Sequence, residues 1–164
     1  MESKEIVLTR EEAAEIESKL EYLKSVRRAE ISEQIKQARA FGDISENAEY
    51  DEAKNEQAKI EGEIADAENL LRLARIIDND TIDTAVVSVG TLVKVLDVGY
   101  NEEITYLITG MMLGSENDVK TNARKITSES PVAKALMGKK VGKTVTVQTP
   151  GGTLKLKILE ISRV

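Results

Sequence analysis

A chain of 164 residues is long enough for one ordinary domain or two small ones. It has no Cys and no His, which excludes disulfides, thiolate or imidazole catalysis and Cys- or His-ligated zinc; any metal must be held by oxygen and would be Mg²⁺, Ca²⁺ or Mn²⁺. The net charge of −6 is uneven, since residues 1–78 carry 12 Lys and Arg against 20 Asp and Glu while residues 79–164 carry 11 against 9, and so acidic a chain has little affinity of its own for free nucleic acid.

The first element predicted is a helix. Thr9-Arg10-Glu11-Glu12 has capping-box spacing, so the helix should start near Arg10. Its apolar stripe runs Ile16, Leu20, Leu23, Val26 or Arg27, Ile31, Ile35, Ala38, with one slip at Val26. A second stripe runs Ala53, Gln57, Ile60, Ile64, Ala67, Leu71, Ala74 in unbroken 4-3 alternation, which is a coiled-coil seam. Laid antiparallel, Ala38 falls beside Ala53, Ile31 beside Ile60 and Leu20 beside Leu71. That near-constant register describes one folded-back hairpin with its apex near Ser45. The same seam could instead mediate homodimerisation.

At the apex, Asp43, Glu46 and Glu49 recur every three residues. Two carboxylates at the point of a probe could serve a divalent cation, although two ligands are too few to hold Mg²⁺ tightly alone. Asp43 and Glu46 also fit a capping box that would start the second helix, and spacing alone favours that reading. Glu49 reads as a solvated helix residue. Arg39 and Lys54, on opposite arms, read as solvated charges or phosphate contacts. Phe41 and Tyr50 could stack on a base or cap the end of the seam.

Residues 78–81 read as a linker. Beyond them, strands are predicted at 85–89, 91–97, 103–109, 144–148 and 153–161, with turns at Gly99-Tyr100-Asn101 and Thr149-Pro150-Gly151-Gly152. One helix fits from Pro131 to Met137, with Ser130 as N-cap, Pro131 at the first helical position and Gly138 as the stop. The expected fold is α+β: a long antiparallel α-helical coiled-coil hairpin over 1–78 and a small antiparallel β-sheet domain with one helix over 79–164. Neither the P-loop nor the dinucleotide glycine spacing occurs. No apolar run approaches the roughly 20 residues of a membrane span. Residues 1–8 are too charged for a signal peptide. A cytoplasmic protein with no membrane partner is expected.

The stretch from Ala38 to Tyr50, with Ala53-Lys54-Asn55-Glu56-Gln57 after it, resembles the "AR-x-x-GD-x-x-ENAEY" and "A(R/K)-x-(E/Q)Q" signatures of the Gre family of bacterial transcript-cleavage factors. Residues 130–139 and 149–152 resemble that family's second signature, so the likeness covers essentially the whole chain in order. It implies a coiled coil followed by an FKBP-like domain. It implies that the second domain, through Ser130 and Pro131, docks on RNA polymerase at the mouth of its secondary channel. Asp43 and Glu46 match the family's tip acids, which help retain Mg²⁺ at the polymerase active site. Arg39 and Lys54 match positions in the family's basic region, which contacts the extruded RNA. The implied partners are therefore RNA polymerase and the nascent RNA 3′ end, met by a monomer that is a cofactor protein and no enzyme. One departure is Ser45, where some members carry Lys.

Three other readings compete. A channel-binding inhibitor of the same fold would crowd more acids onto the tip, whereas here Ile44 and Ser45 separate the two carboxylates. A prolyl isomerase would need an aromatic-lined pocket, and residues 79–164 offer only Tyr100 and Tyr106. A coiled-coil adaptor would be indifferent to loss of the tip acids.

Overall fold

The computed structural model describes residues 5–41, 47–113 and 115–164, with side chains at Phe41 and Asn47 left undescribed. The chain forms two compact units, one of residues 13–74 and the other of residues up to Glu12 together with 75–164.

The hairpin unit consists of α1 (Arg10–Tyr22, whose first turn belongs to the other unit), a π turn (Leu23–Arg27), α2 (Arg28–Phe41) and α3 (Asn47–Leu73). At about 1.5 Å per residue, the 27 residues of α3 span roughly 40 Å. The seam is the one legible in sequence: Leu23, Ile31, Ile35, Ala53, Ile60 and Ile64 form one buried cluster, with Leu20 and Tyr50 packed against it. The slip has a physical cause. Leu23 and Ile31 are eight residues apart, one more than a heptad. The π turn absorbs the extra residue, with the Arg28 N–H donating to the Leu23 carbonyl in place of an α-helical bond. As a result Val26 faces outward and Arg27 occupies the seam position. Ion pairs tie the arms together: Lys24 with Glu68, Arg27 with Glu56 at 3.3 Å and Arg28 with Glu61 at 2.7 Å.

The other unit holds β1 (Val7–Thr9), β2 (Arg75–Ile77), a 3₁₀ turn (Asn79–Thr81), β3 (Thr91–Asp97), β4 (Glu102–Thr109), β5 (Arg124–Thr127), α4 (Pro131–Leu136), β6 (Thr144–Thr149) and β7 (Gly152–Arg163). Five strands form one sheet in the order β5-β4-β3-β7-β6, and β1 and β2 pair separately in parallel. Along β3, every second residue from Thr91 to Asp97 points into the core. β7 keeps phase with β3 through a bulge that leaves Leu159 without an opposite number between Ile158 and Glu160. Val93, Val95, Ile108, Leu136, Leu156 and Ile158 are fully buried. Each such side chain stabilises the fold by about 2 kcal/mol.

Three expectations are corrected. The sheet is mixed, because β5 runs parallel to β4. Residues 85–89 form no strand: the Asp83 carboxylate accepts from Ala85 N at 2.8 Å, and Val87 is bonded to Lys139 and Gly138 beyond α4 in place of a ladder partner. Residues 7–12 and 75–78 belong with the β-rich unit, where β1 pairs with β2 and the Gly110 N–H donates to Glu12 Oε1 at 3.4 Å. Two predicted helix starts hold: the Glu12 N–H donates to Thr9 Oγ1 at 3.1 Å, and the Ala133 N–H to Ser130 Oγ at 3.2 Å; the capping box at Asp43 and Glu46 lies outside the described residues.

Candidate functional site

Near its end the hairpin seam narrows to two alanines, Ala38 on α2 and Ala53 on α3, both buried. α2 ends at Phe41 and α3 starts at Asn47, so the connection between them carries Asp43 and Glu46, which lie outside the described residues.

Tyr50, in the first turn of α3, packs on the hydrophobic cluster and closes its end. Of the two roles open to it in sequence, the structure gives it the seam. Its ring also receives Arg39 from the other arm: the guanidinium carbon lies 5.6 Å from the ring centroid, within cation–π reach, and Nη2 donates to the Tyr50 hydroxyl at 3.4 Å. That bond, reinforced by the field of the same cation, holds the phenol below its ordinary value. The Arg39 side chain remains exposed.

Lys54 is exposed one turn further along α3, and its ammonium donates to Gln57 Oε1 at 3.0 Å. Arg39 and Lys54 thus each hold a neutral partner. Glu49 is exposed and lines an open groove of about 480 Å³ with Glu52 and Glu56 from α3 and Gln34 and Gln37 from α2. Among the described residues, no group of three or more acidic side chains could hold a metal ion. The donor set of Asp43 and Glu46 is two carboxylates with no nitrogen or sulfur. It fits a hard cation such as Mg²⁺, provided that other ligands come from elsewhere.

In the β-rich unit, Ser130 is half-buried and Pro131 is exposed. The Ser130 hydroxyl is engaged as the N-cap of α4, so the surface offered at this corner is the Pro131 ring beside the Glu129–Lys134 pair, 3.6 Å apart.

Two features escaped the sequence reading. The Arg39–Tyr50 contact joins residues read separately, although both sit where the arms converge. The π turn, which decides between Val26 and Arg27 in favour of Arg27, was not read, and the eight-residue interval from Leu23 to Ile31 was the available signal.

Residues 6–76 match the family model described as "Transcription elongation factor, N-terminal", and residues 82–163 match that described as "Transcription elongation factor, GreA/GreB, C-term". The chain is 56% identical to the transcription elongation factor GreA of Caldanaerobacter subterraneus subsp. tengcongensis over 161 residues, covering 98% of this chain and 99% of that one. It is 52% identical to the protein of the same name from Acetivibrio thermocellus, covering 98% of each chain. A solved structure, GreA factor homolog 1 of Thermus thermophilus, aligns over 97% of this chain and 99% of that one at 24% identity and a TM-score of 0.44. Two adjoining domain matches and near full-length identity lead to one conclusion: the chain belongs to the GreA/GreB family of transcription elongation factors.

Proposed function

We propose that this chain is a transcription elongation factor that binds RNA polymerase through its secondary channel and stimulates the polymerase's own cleavage of backtracked RNA 3′ ends. The observation that carries the reading is the hairpin. Its seam is filled by its own two arms as far as Ala38, Ala53 and Tyr50, and the sequence that joins the arms carries Asp43 and Glu46. A seam filled from within also favours a monomer over a coiled-coil dimer.

In this reading Asp43 and Glu46 contribute carboxylate oxygens to a site completed by the polymerase. Bound there, Mg²⁺ would supply Lewis-acid chemistry, activating water and stabilising charge on the leaving oxygen. Arg39 and Lys54, exposed and held by uncharged partners, contact the phosphates of the extruded RNA. The β-rich unit docks through the corner at Ser130 and Pro131. The chain supplies ligands and orientation while the catalytic centre remains the polymerase's, so it is a cofactor protein. Its compartment is the cytoplasm, where the polymerase works. No helix among the described residues is long and apolar enough to cross a membrane.

The test is a stalled, backtracked elongation complex with labelled RNA. Adding the chain should shorten the RNA from its 3′ end at a rate that saturates with factor concentration. A rate that falls with the factor bound would favour channel inhibition, and an unchanged rate with the factor bound would favour a non-catalytic adaptor.

A further inference from the structure

Three cations of the hairpin, Lys24, Arg27 and Arg28, are paired with carboxylates of the opposite arm. Lys24 pairs with Glu68, Arg27 with Glu30 and Glu56, and Arg28 with Glu61. These contacts hold the arms together and leave little charge for a ligand. Arg39 differs. Among the described residues no carboxylate pairs with it, and both of its contacts are made to Tyr50, one to the ring and one to the hydroxyl.

The partner's chemistry matters. A glutamate would orient the guanidinium and cancel its charge together. A phenol orients it through the ring face and the hydroxyl oxygen and leaves the charge in place. Tyr50 can do this because its ring is itself fixed, packed on the buried cluster at the end of the seam. Arg39 has several rotatable bonds and stands two residues before the end of α2. Unrestrained, it would sweep a wide volume of solvent; on the Tyr50 ring it points one way.

We infer that Tyr50 is a positioning residue, which holds the Arg39 guanidinium oriented and fully charged for a phosphate of the RNA arriving at the hairpin end. The inference rests on the proposed reading of Arg39 as an RNA contact and adds to it how this cation is oriented without a carboxylate partner.

The test is a double-mutant cycle in the backtracked-complex assay, with Tyr50→Phe, Tyr50→Leu and Arg39→Ala, singly and combined. The readouts are the factor concentration for half-maximal cleavage and, in the free protein, the mobility of the Arg39 Nε–H by NMR relaxation. Tyr50→Phe keeps the ring packing and should raise the half-maximal concentration about threefold; Tyr50→Leu should raise it about tenfold, in line with loss of one and then both weak contacts. In the Arg39→Ala background neither change should add to the loss. Both should raise Arg39 mobility in proportion. Equal losses with and without Arg39, or an Arg39 side chain no more mobile in Tyr50→Leu than in the parent, would overturn the inference. Should the parent fail to stimulate cleavage, the proposed function fails by itself, and the NMR arm still decides whether Tyr50 orients Arg39. Should Tyr50→Leu unfold, Tyr50→Phe decides alone.

Discussion

Arg27 and Glu56 meet across the hairpin at 3.3 Å, at the one place where the seam loses its heptad rhythm. Arg27 also reaches Glu30 on its own arm at 2.5 Å. A charged residue stands at a seam position because its aliphatic stem can fill the space while its head turns outward to the two glutamates. If the stem is what matters, Arg27→Met should leave the thermal midpoint within about 1 °C, because partly exposed ion pairs contribute little. Arg27→Ala, which removes the stem as well, should lower it by about 3 °C or more. Equal losses in the two variants would assign the stability to the ion pairs instead.

Ser130 and Pro131 should separate into a structural and a docking residue. Ser130→Ala removes the cap of α4 and should destabilise the β-rich unit by about 1 kcal/mol, whereas Ser130→Asp keeps a capping oxygen and should restore most of that. Pro131→Asp should leave the melting curve nearly unchanged and weaken competition for RNA polymerase. Unchanged affinity in Pro131→Asp would move the docking surface elsewhere.

The hairpin was legible because a 4-3 apolar rhythm carries its own register, and an antiparallel pairing of two such rhythms has one apex. What the rhythm did not reveal was the π turn, because Val26 and Arg27 fit the stripe about equally well until backbone geometry chooses between them. In the β-rich unit the long strands were legible by alternation, but β1 and β2 are three residues each and pair Val7 with Arg75, so no local pattern announces them. Residues 85–89 misled for the opposite reason. Strand propensity reports burial beside neighbours, and Val87 and Val89 are buried in a loop that bonds to the end of α4. The tip acids were legible only as a spacing shared by capping and metal binding, and the resemblance tipped the balance.

Asp118 links stability to pH in the segment before β5. Its carboxylate accepts from the hydroxyl and, at 2.8 Å, from the backbone N–H of Thr121, and these bonds, the hydroxyl's first, hold it below its ordinary value of 3.8. A depressed carboxylate contributes stability that is present above its unfolded value and is lost as pH falls through its folded value. The thermal midpoint should therefore fall more steeply below about pH 4 in the parent than in Asp118→Asn. Parallel curves for the two proteins would show that these bonds add no acid-sensitive stability.

The central claim is that Asp43 and Glu46 act as metal ligands within the polymerase complex. Asp43→Asn and Glu46→Gln preserve shape, and Asn remains a competent helix cap, so a capping role alone would cost only a few tenths of a kcal/mol. An amide is a much poorer Mg²⁺ ligand than a carboxylate. The decisive measurement is the rate of RNA cleavage against Mg²⁺ concentration, at saturating factor, for the parent and each variant. Both variants should compete for polymerase like the parent, lose on the order of 10²-fold in rate at low Mg²⁺, equivalent to roughly 3 kcal/mol at the barrier, and recover partly as Mg²⁺ rises. An Asp43→Asn protein that binds and cleaves like the parent at low Mg²⁺ would reduce the tip acid to a helix cap and contradict the account.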